Sequence, residues 1–491
     1  MEPYSWTARD EFQNRAEDLA RMEQWWDGPT RDALGVLGRR RVGKSWLFRR
    51  LANEKPALIL VADEVLPATQ MNRFADELEP VLGVRPDIPD VSTLIQMLYR
   101  LGDQEKVLVV IDEFPYLLPG RRDERQAVLS QVQAVMEAER DQSQTKLMLC
   151  GSVIAQMESL FDPKSPLHGR LQALDVWPMG FTEARELMDD GDDHAQRITR
   201  YAVAGGMARY LAELGSGAPL QDLVCDRVLD RRGPLFSDPR NVLEQELRSP
   251  ATYLSILEAL SHHAAPIDHL ANTLQQKTAT LSPYLATLEA MRLVSVRRPV
   301  GSPVGARGRH YNLSDGFIRF WFRFVFPNQT DLQSGLAPED LWAGLIEEQL
   351  PDFVAPTYET LCTRYTRMTY GALAPTVGGW WGNALNEHRK TGARSTEEID
   401  IVGAQHKNLR LVGECKWTAS PMPQQVLDDL RTYKVPAIAQ EGNLRVTQEG
   451  PRVLLFGRSG FESALEKEAA NDDQVDLIGL EQLVDTLNAE R

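Results

Sequence analysis

The stretch Gly38-Arg39-Arg40-Arg41-Val42-Gly43-Lys44-Ser45 fits the pattern G-x-x-x-x-G-K-[ST] at each fixed position. The pattern has a mechanism. Its glycines let successive backbone N–H groups turn toward phosphate oxygens, its lysine reaches the β- and γ-phosphates, and its hydroxyl ligates Mg²⁺. The apolar run Leu34 to Leu37 precedes it and a helical stretch, Ser45 to Leu51, follows. Strand, loop and helix in that order distinguish a phosphate cradle from a basic surface turn. Gly38 through Ser45 are therefore expected to bind ATP.

A second half of the site lies downstream. Val107-Leu108-Val109-Val110-Ile111-Asp112-Glu113 is an apolar run ending in two carboxylates. Asp112 is expected in the Mg²⁺ shell, and Glu113 as the general base that polarises the attacking water. The run Lys146 to Cys150 ends in Gly151-Ser152, which places Ser152 beside the γ-phosphate or else forms a plain Gly-Ser turn. Arg170 offers a cation for transition-state charge, in its own subunit or from a neighbour in a homo-oligomer. A structural salt bridge is its alternative role.

Working outward, the runs Leu34–Leu37, Ala57–Val61, Val107–Ile111 and Lys146–Cys150 are almost wholly apolar. Strands buried on both faces read this way, and helical stretches separate them, so the first 180 residues are expected to form a parallel sheet wrapped by helices. At about 150 residues per domain, 491 residues imply roughly three domains. The best division has four modules: an ATPase domain (1–180), a helical lid (181–248), a winged helix-turn-helix (249–328) and a C-terminal α/β domain (329–491). The lone cysteines Cys150, Cys225, Cys362 and Cys415 form no CxxC pair and suit a reducing compartment. With no signal-peptide pattern and no apolar run of about 20 residues, the protein is expected to be cytoplasmic, off the membrane.

Net charge is −16, from 54 basic and 70 acidic residues. That balance opposes nucleic-acid binding by the chain as a whole. Between Ala251 and Thr330, however, eight Lys or Arg face only four Asp or Glu. Three helical patterns there (Tyr253 to His262, Pro266 to Leu274, Thr280 to Met291) precede Leu293-Val294-Ser295-Val296-Arg297-Arg298 and, after a Gly-rich turn, His310-Tyr311-Asn312-Leu313. Three helices and a hairpin make a winged helix. Arg297, Arg298, Arg307 and Arg309 on the hairpin would meet DNA phosphates, unless the module serves only to pack domains together. The run Phe317 to Phe324 stacks bases or forms an interdomain core.

The last constellation is Glu398-Ile399-Asp400-Ile401-Val402, a polar turn, then Leu409 to Trp417 with Glu414-Cys415-Lys416. Strand side chains alternate, so Glu414 and Lys416 share a face and Asp400 on the neighbouring strand can join them. Two carboxylates would bind Mg²⁺, and Lys416 would orient water or neutralise developing phosphate charge. An ion-pair cluster on a retained, inactive fold is the alternative.

These residues resemble a known family. Phe12-Gln13-Asn14-Arg15, Gly38 to Ser45, Ile111-Asp112-Glu113-Phe114, Gly151-Ser152 and Gly205-Gly206 are similar to the archaeal-type AAA+/STAND-like P-loop ATPases. That family carries Gly-Gly-x-Pro-x-Tyr-Leu in its lid, whereas this chain reads Gly205-Gly206-Met207-Ala208-Arg209-Tyr210-Leu211. The C-terminal constellation resembles the PD-(D/E)XK nuclease core, a restriction-endonuclease-like α/β domain. By that resemblance Glu359 is the first-helix acid, Asp400 and Glu414 are metal ligands and Lys416 is the catalytic lysine. The expectation is a multidomain α/β ATPase acting on DNA with a Mg²⁺-dependent nuclease domain. A non-catalytic ATP-dependent switch is the alternative.

Overall fold

The computed structural model describes residues 4–5, 15–247, 249–303, 308–392 and 395–489. The chain divides into two compact units, Met1–Met179 with Met207–Arg209, and Gly180–Gly206 with Tyr210–Arg491.

The first unit is built on five parallel strands: β1 (Ala33–Leu37), β2 (Ala57–Val61), β3 (Val107–Asp112), β4 (Thr145–Gly151) and β5 (Leu171–Asp175). Their spatial order is β2-β3-β4-β1-β5. Every residue of β1, β3 and β4 is buried, as their unbroken apolar sequences demand. Helix α1 (Ala16–Asp27) precedes the sheet, and α2 (Lys44–Ala52) follows the loop after β1. Helices α3 (Pro67–Leu82), α4 (Val91–Arg100), α5 (Arg122–Glu139) and α6 (Ile154–Phe161) supply Phe74, Leu94, Leu98, Leu129 and Met157 to the core around Val109, Ile111 and Leu149. α4 starts where it does because Asp90 accepts the Thr93 N–H at 2.8 Å. β5 is an edge strand that no apolar run announces, since its Gln172 and Ala173 are exposed.

At the N-terminal end of β4 a buried charge has a structural task. Lys146 Nζ donates to the carbonyls of Trp25, Gly28 and Thr30 at 2.8–2.9 Å. It thus satisfies acceptors at the C-terminal end of α1 that the helix leaves open.

Near the start of the second unit lies α7 (His194–Ala204), set by a capping box in which Asp193 and Gln196 exchange bonds of 2.8 Å. Beyond the helices Leu220–Val224 and Asp238–Glu246 come α8 (Ala251–His262), α9 (Ile267–Thr273) and α10 (Thr278–Ala290). A small antiparallel sheet accompanies them, with β6 (Ala265–Pro266), β7 (Val294–Arg297) and β8 (His310–Leu313) in the order β6-β8-β7. The aromatic run continues through α11 (Gly316–Phe320) into a π-helical turn, Trp321–Val325. Phe317, Phe320, Trp321, Phe322 and Phe324 are fully buried, and Trp321 Nε1 donates to the Phe236 carbonyl at 2.8 Å. Each such side chain contributes about 1.5–3 kcal/mol by burial, so this run is core and is closed to nucleic-acid bases.

Beyond it, α12 (Glu347–Tyr370) packs on a mixed sheet of β9 (Thr376–Asn383), β10 (Thr396–Gln405), β11 (Asn408–Lys416), β12 (Arg452–Gly457) and β13 (Val475–Gly479). The order is β13-β12-β11-β10-β9, antiparallel from β9 to β11 and parallel from β11 to β13. The register between β9 and β10 shifts between Ile399 and Val402, an irregularity that contains Asp400. Among the described residues no helix is long and apolar enough to cross a membrane.

Candidate functional site

Chemistry-bearing side chains gather in one place in each unit. In the first, the loop Gly38–Ser45 leaves β1 and enters α2. Gly38 is buried so tightly that a Cβ there would lie 2.5 Å from the Val176 carbonyl oxygen. Gly43, at φ 106°, occupies the left-handed region that glycine tolerates, immediately before the helix. Arg15 braces the loop from beneath. It is 3% exposed and donates to the carbonyls of Val42 at 2.7 Å and Trp177 at 2.6 Å.

Lys44 is buried, and its ammonium donates to Gly38 O at 2.7 Å, Arg39 O at 3.2 Å and Ser152 Oγ at 3.1 Å. Phosphate oxygens are natural replacements for these acceptors. Because β4 lies between β1 and β3, the end of β4 delivers Ser152 between Lys44 and the two carboxylates. Ser152 donates from its N–H to Glu113 Oε2 at 2.9 Å and from Oγ to Glu113 Oε1 at 2.5 Å. Glu113 itself sits at φ 54°, a conformation few residues adopt and one that aims its carboxylate at Ser152. Ser45 Oγ donates to Asp112 Oδ2 at 3.2 Å. Burial, and then the charge of Glu113, push the Asp112 carboxyl above its ordinary range, against the pull of Lys44 and Ser45. An oxygen-donor pair around a buried anion fits a divalent cation, which Ser45 and Asp112 would hold.

Among the loop arginines, Arg40 donates to the Tyr116 hydroxyl at 3.3 Å, Arg39 is half-buried and Arg41 is exposed. Ala208 stands where the resembled lid motif has proline. Its Cβ would be 3.3 Å from a Cβ on Gly43, and the N–H of Arg209 donates to Arg41 O at 3.3 Å. Arg170 must be corrected. Its carbonyl accepts from Ala33 N–H, at the start of β1, whereas the phosphate loop leaves the other end. Five residues of strand separate these levels by about 16 Å. Its guanidinium is bonded to Glu137 at 2.6 and 3.0 Å, so within its own subunit Arg170 is a structural ion pair and lies off the nucleotide.

In the second unit the β10–β11 hairpin brings Asp400 and Glu414 together. Asp400 Oδ2 accepts from the Cys415 N–H at 2.8 Å. Glu414 is 2% exposed and accepts from Lys434 at 2.7 Å and Lys416 at 3.4 Å. Glu359 comes from α12. Burial, and then the charge of Asp400, push its carboxyl up to about 8. Burial and Asp400 push Glu414 up to about 7 against Lys434 and Lys416. Burial alone would lower the Lys416 ammonium, but Glu414 and Asp400 outweigh it and raise its proton affinity. Among the described residues no three or more His, Cys, Asp and Glu form a ready metal cage. The lysines hold the place a cation would take, and the two oxygen donors Asp400 and Glu414 are suited in kind to Mg²⁺ or Mn²⁺.

Lys434, at the end of the π-helical turn Leu430–Lys434, was not legible as a site residue, since it lies 20 residues after Glu414 with no pattern linking them. Glu398 and Arg15 were likewise quoted without a role. Of the hairpin arginines, Arg297 is half-buried, Arg298 and Arg309 are exposed, and Arg307 lies outside the described residues, as does Phe12-Gln13-Asn14.

Residues 12–214 match a family described as an ATPase domain predominantly from Archaea, and residues 321–426 match archaeal and bacterial proteins of unknown function. The first part of the chain is thus an archaeal-type ATPase domain, and a separate domain follows it. An uncharacterized protein of Methanocaldococcus jannaschii is 26% identical over 416 residues, 83% of this chain and 87% of that one. Among solved structures, a Walker-type ATPase of Pyrococcus abyssi is 19% identical, with a TM-score of 0.45 over 65% of this chain and 98% of that one. The Aeropyrum pernix ORC2 protein is 14% identical, with a TM-score of 0.38 over 69% and 97%. Likenesses this distant carry no further argument.

Proposed function

We propose that the chain binds and hydrolyses ATP with Mg²⁺ and acts on DNA through a winged helix (249–328) and a PD-(D/E)XK-like metal-dependent nuclease domain (329–491), with 181–248 as the lid of the ATPase domain (1–180). One observation carries the nuclease reading. Glu359, Asp400, Glu414, Lys416 and Lys434 converge from four separate elements, with two carboxyls driven far above their ordinary values by burial beside Asp400. Bringing like charges together in this way costs several kcal/mol, and packing alone would favour apolar residues of the same size. In the ATPase domain Lys44 would hold the β- and γ-phosphates, and Ser152 would hold Glu113, which receives the proton of the attacking water. In the nuclease domain Asp400 and Glu414 would hold the metal, which would supply Lewis acidity at the phosphodiester. Lys416 would orient water and Glu359 would serve as the helix-borne acid. Arg298, Arg307 and Arg309 would guide the phosphate backbone.

The Lys434–Glu414 pair favours a second reading, a non-catalytic ATP-dependent switch whose C-terminal domain only binds. Incubation of the full chain with plasmid and single-stranded DNA, with Mn²⁺ or Mg²⁺ and with and without ATP, separates the two. Cleavage lost in Asp400→Ala and Lys416→Ala supports the nuclease. Absence of cleavage under every metal and nucleotide condition leaves only the switch.

A further inference from the structure

The guanidinium of Arg297 stands at the rim of the carboxylate site, on a strand of a different sheet. β7 ends at Arg297, and the residues after it cross to β9, where the Val300 N–H donates to Gly379 O at 3.0 Å and the Val300 side chain is buried with Trp380 and Ile399. The Gly378-Gly379 pair permits this approach, since a Cβ on Gly378 would lie 3.2 Å from Val300 Cγ2. A Cβ on Gly379 would be 3.5 Å from Arg297 Nη2 and 3.5 Å from the Asp400 carbonyl oxygen. The guanidinium therefore lies beside Gly379, on the face that also meets the Asp400 carbonyl.

The contact is broad. His310 faces Arg297 in register across β7 and β8, and its ring stacks on Trp381 at 4.4 Å. Trp381 Nε1 donates to Gly308 O at 2.9 Å, and Trp381 faces Glu398 in register across β9 and β10. Arg297, His310, Trp381 and Glu398 thus form one row running from the small sheet onto the large one. The hairpin is a wall of the carboxylate site. Among the cations near Glu359, Arg297 opposes most strongly the upward push of burial and Asp400.

A guanidinium with five donors, half-buried beside carboxylates, has two uses. It can neutralise the acids, or it can receive an anion once a metal has neutralised them. Neutralisation of Glu414 is already supplied by Lys434 and Lys416. The planar fork of arginine matches two oxygens of a phosphate, which a lysine does not. We propose that Arg297 clamps the phosphodiester of the strand presented to the carboxylate site, so that the site is composite: the small sheet supplies the phosphate clamp and the large sheet the metal-binding carboxylates. The clamp rests on the nuclease reading above and names its substrate class, a nucleic-acid backbone.

The test uses the full chain without nucleotide. Mn²⁺ binding is measured by calorimetry, and binding of a fluorescent single-stranded oligonucleotide is measured in Ca²⁺ over a range of salt. Arg297→Ala should weaken the oligonucleotide roughly 10- to 100-fold. It should flatten the salt slope by about 0.7, the value of one single-strand phosphate contact. Mn²⁺ affinity should stay level or rise, because a neighbouring positive charge is gone. Arg297→Lys should recover only part of the oligonucleotide affinity, since the charge returns without the two-pronged fork. Parallel losses of Mn²⁺ and oligonucleotide affinity with a lower melting temperature would show Arg297 to be a packing residue and overturn the clamp. So would intact metal binding with unchanged oligonucleotide affinity. If the parent binds Mn²⁺ no better than Asp400→Ala, the metal site itself fails and the clamp falls with it.

Discussion

The phosphate loop and the carboxylate cluster use the same currency, buried charge beside hydroxyls and backbone, but assemble it differently. The loop takes its groups from eight consecutive residues and two strand ends, and the parallel sheet fixes all of them at one edge. Lys44, Ser152 and Glu113 form a continuous chain of hydrogen bonds at 3.1 and 2.5 Å. The carboxylate cluster takes Glu359 from a helix, Asp400 from an irregular point on β10, Glu414 and Lys416 from β11, and Lys434 from a π-helical turn. Both lysines pair with Glu414, and Arg297 stands outside those pairs. A site built from backbone succession is specified locally. A site built from converging elements depends on every element that positions it.

The largest effect should come from the first site. Glu113→Gln would remove the proposed proton acceptor and keep the shape, so kcat for ATP should fall about 10²- to 10⁴-fold with nucleotide affinity retained. Steady-state hydrolysis together with nucleotide-binding calorimetry checks this. Retained turnover would show that the Ser152-bound carboxylate is not the base.

Next, Lys44→Ala removes three charge-assisted hydrogen bonds, and ATP affinity should fall roughly 10- to 100-fold. Mn²⁺ binding at the carboxylate cluster should not change. A change there would erase the contrast between two separately specified sites.

Lys434→Met tests the lysine pairs on Glu414 in the second site. It leaves Glu414 buried with only the more distant Lys416, and should cost about 1–3 kcal/mol of stability at neutral pH. Chemical denaturation followed through the second unit reads the loss. An increase in stability would mean that the cluster is not held together by its lysines.

Arg170→Ala should do least. Its pair with Glu137 is part-exposed at 32% and 43%, and solvent screening leaves such surface pairs little effect. ATP turnover should stay within about twofold. A large loss of turnover that a neighbouring subunit's Arg170 restores in mixed assemblies would return it to the nucleotide, in trans.

Much of the first unit could be read from residue order alone. β1, β3 and β4 are buried on both faces, so their sequences are continuous apolar runs, and the phosphate loop must follow such a strand to work. Edge strand β5 was not legible, because Gln172 and Ala173 face solvent and break the run. In the second unit Thr376–Asn383 hid β9 behind three glycines. Those glycines are there because Val300, Arg297 and Glu441 approach the strand closely, which no local pattern records.

The sequence by itself determined the strand–loop–helix order around Gly38–Ser45, the place of Asp112 and Glu113 at a strand end, and the Asp400–Glu414–Lys416 hairpin, since neighbouring backbone positions put those groups together. Only the tertiary structure decided that Arg170 sits at the wrong end of β1, that Lys434 completes the cluster and that Arg297 leans over Asp400. Each of those depends on the approach of segments distant in the chain. Such approaches are set by the packing of whole sheets and helices, and the residue types at the contact do not announce them.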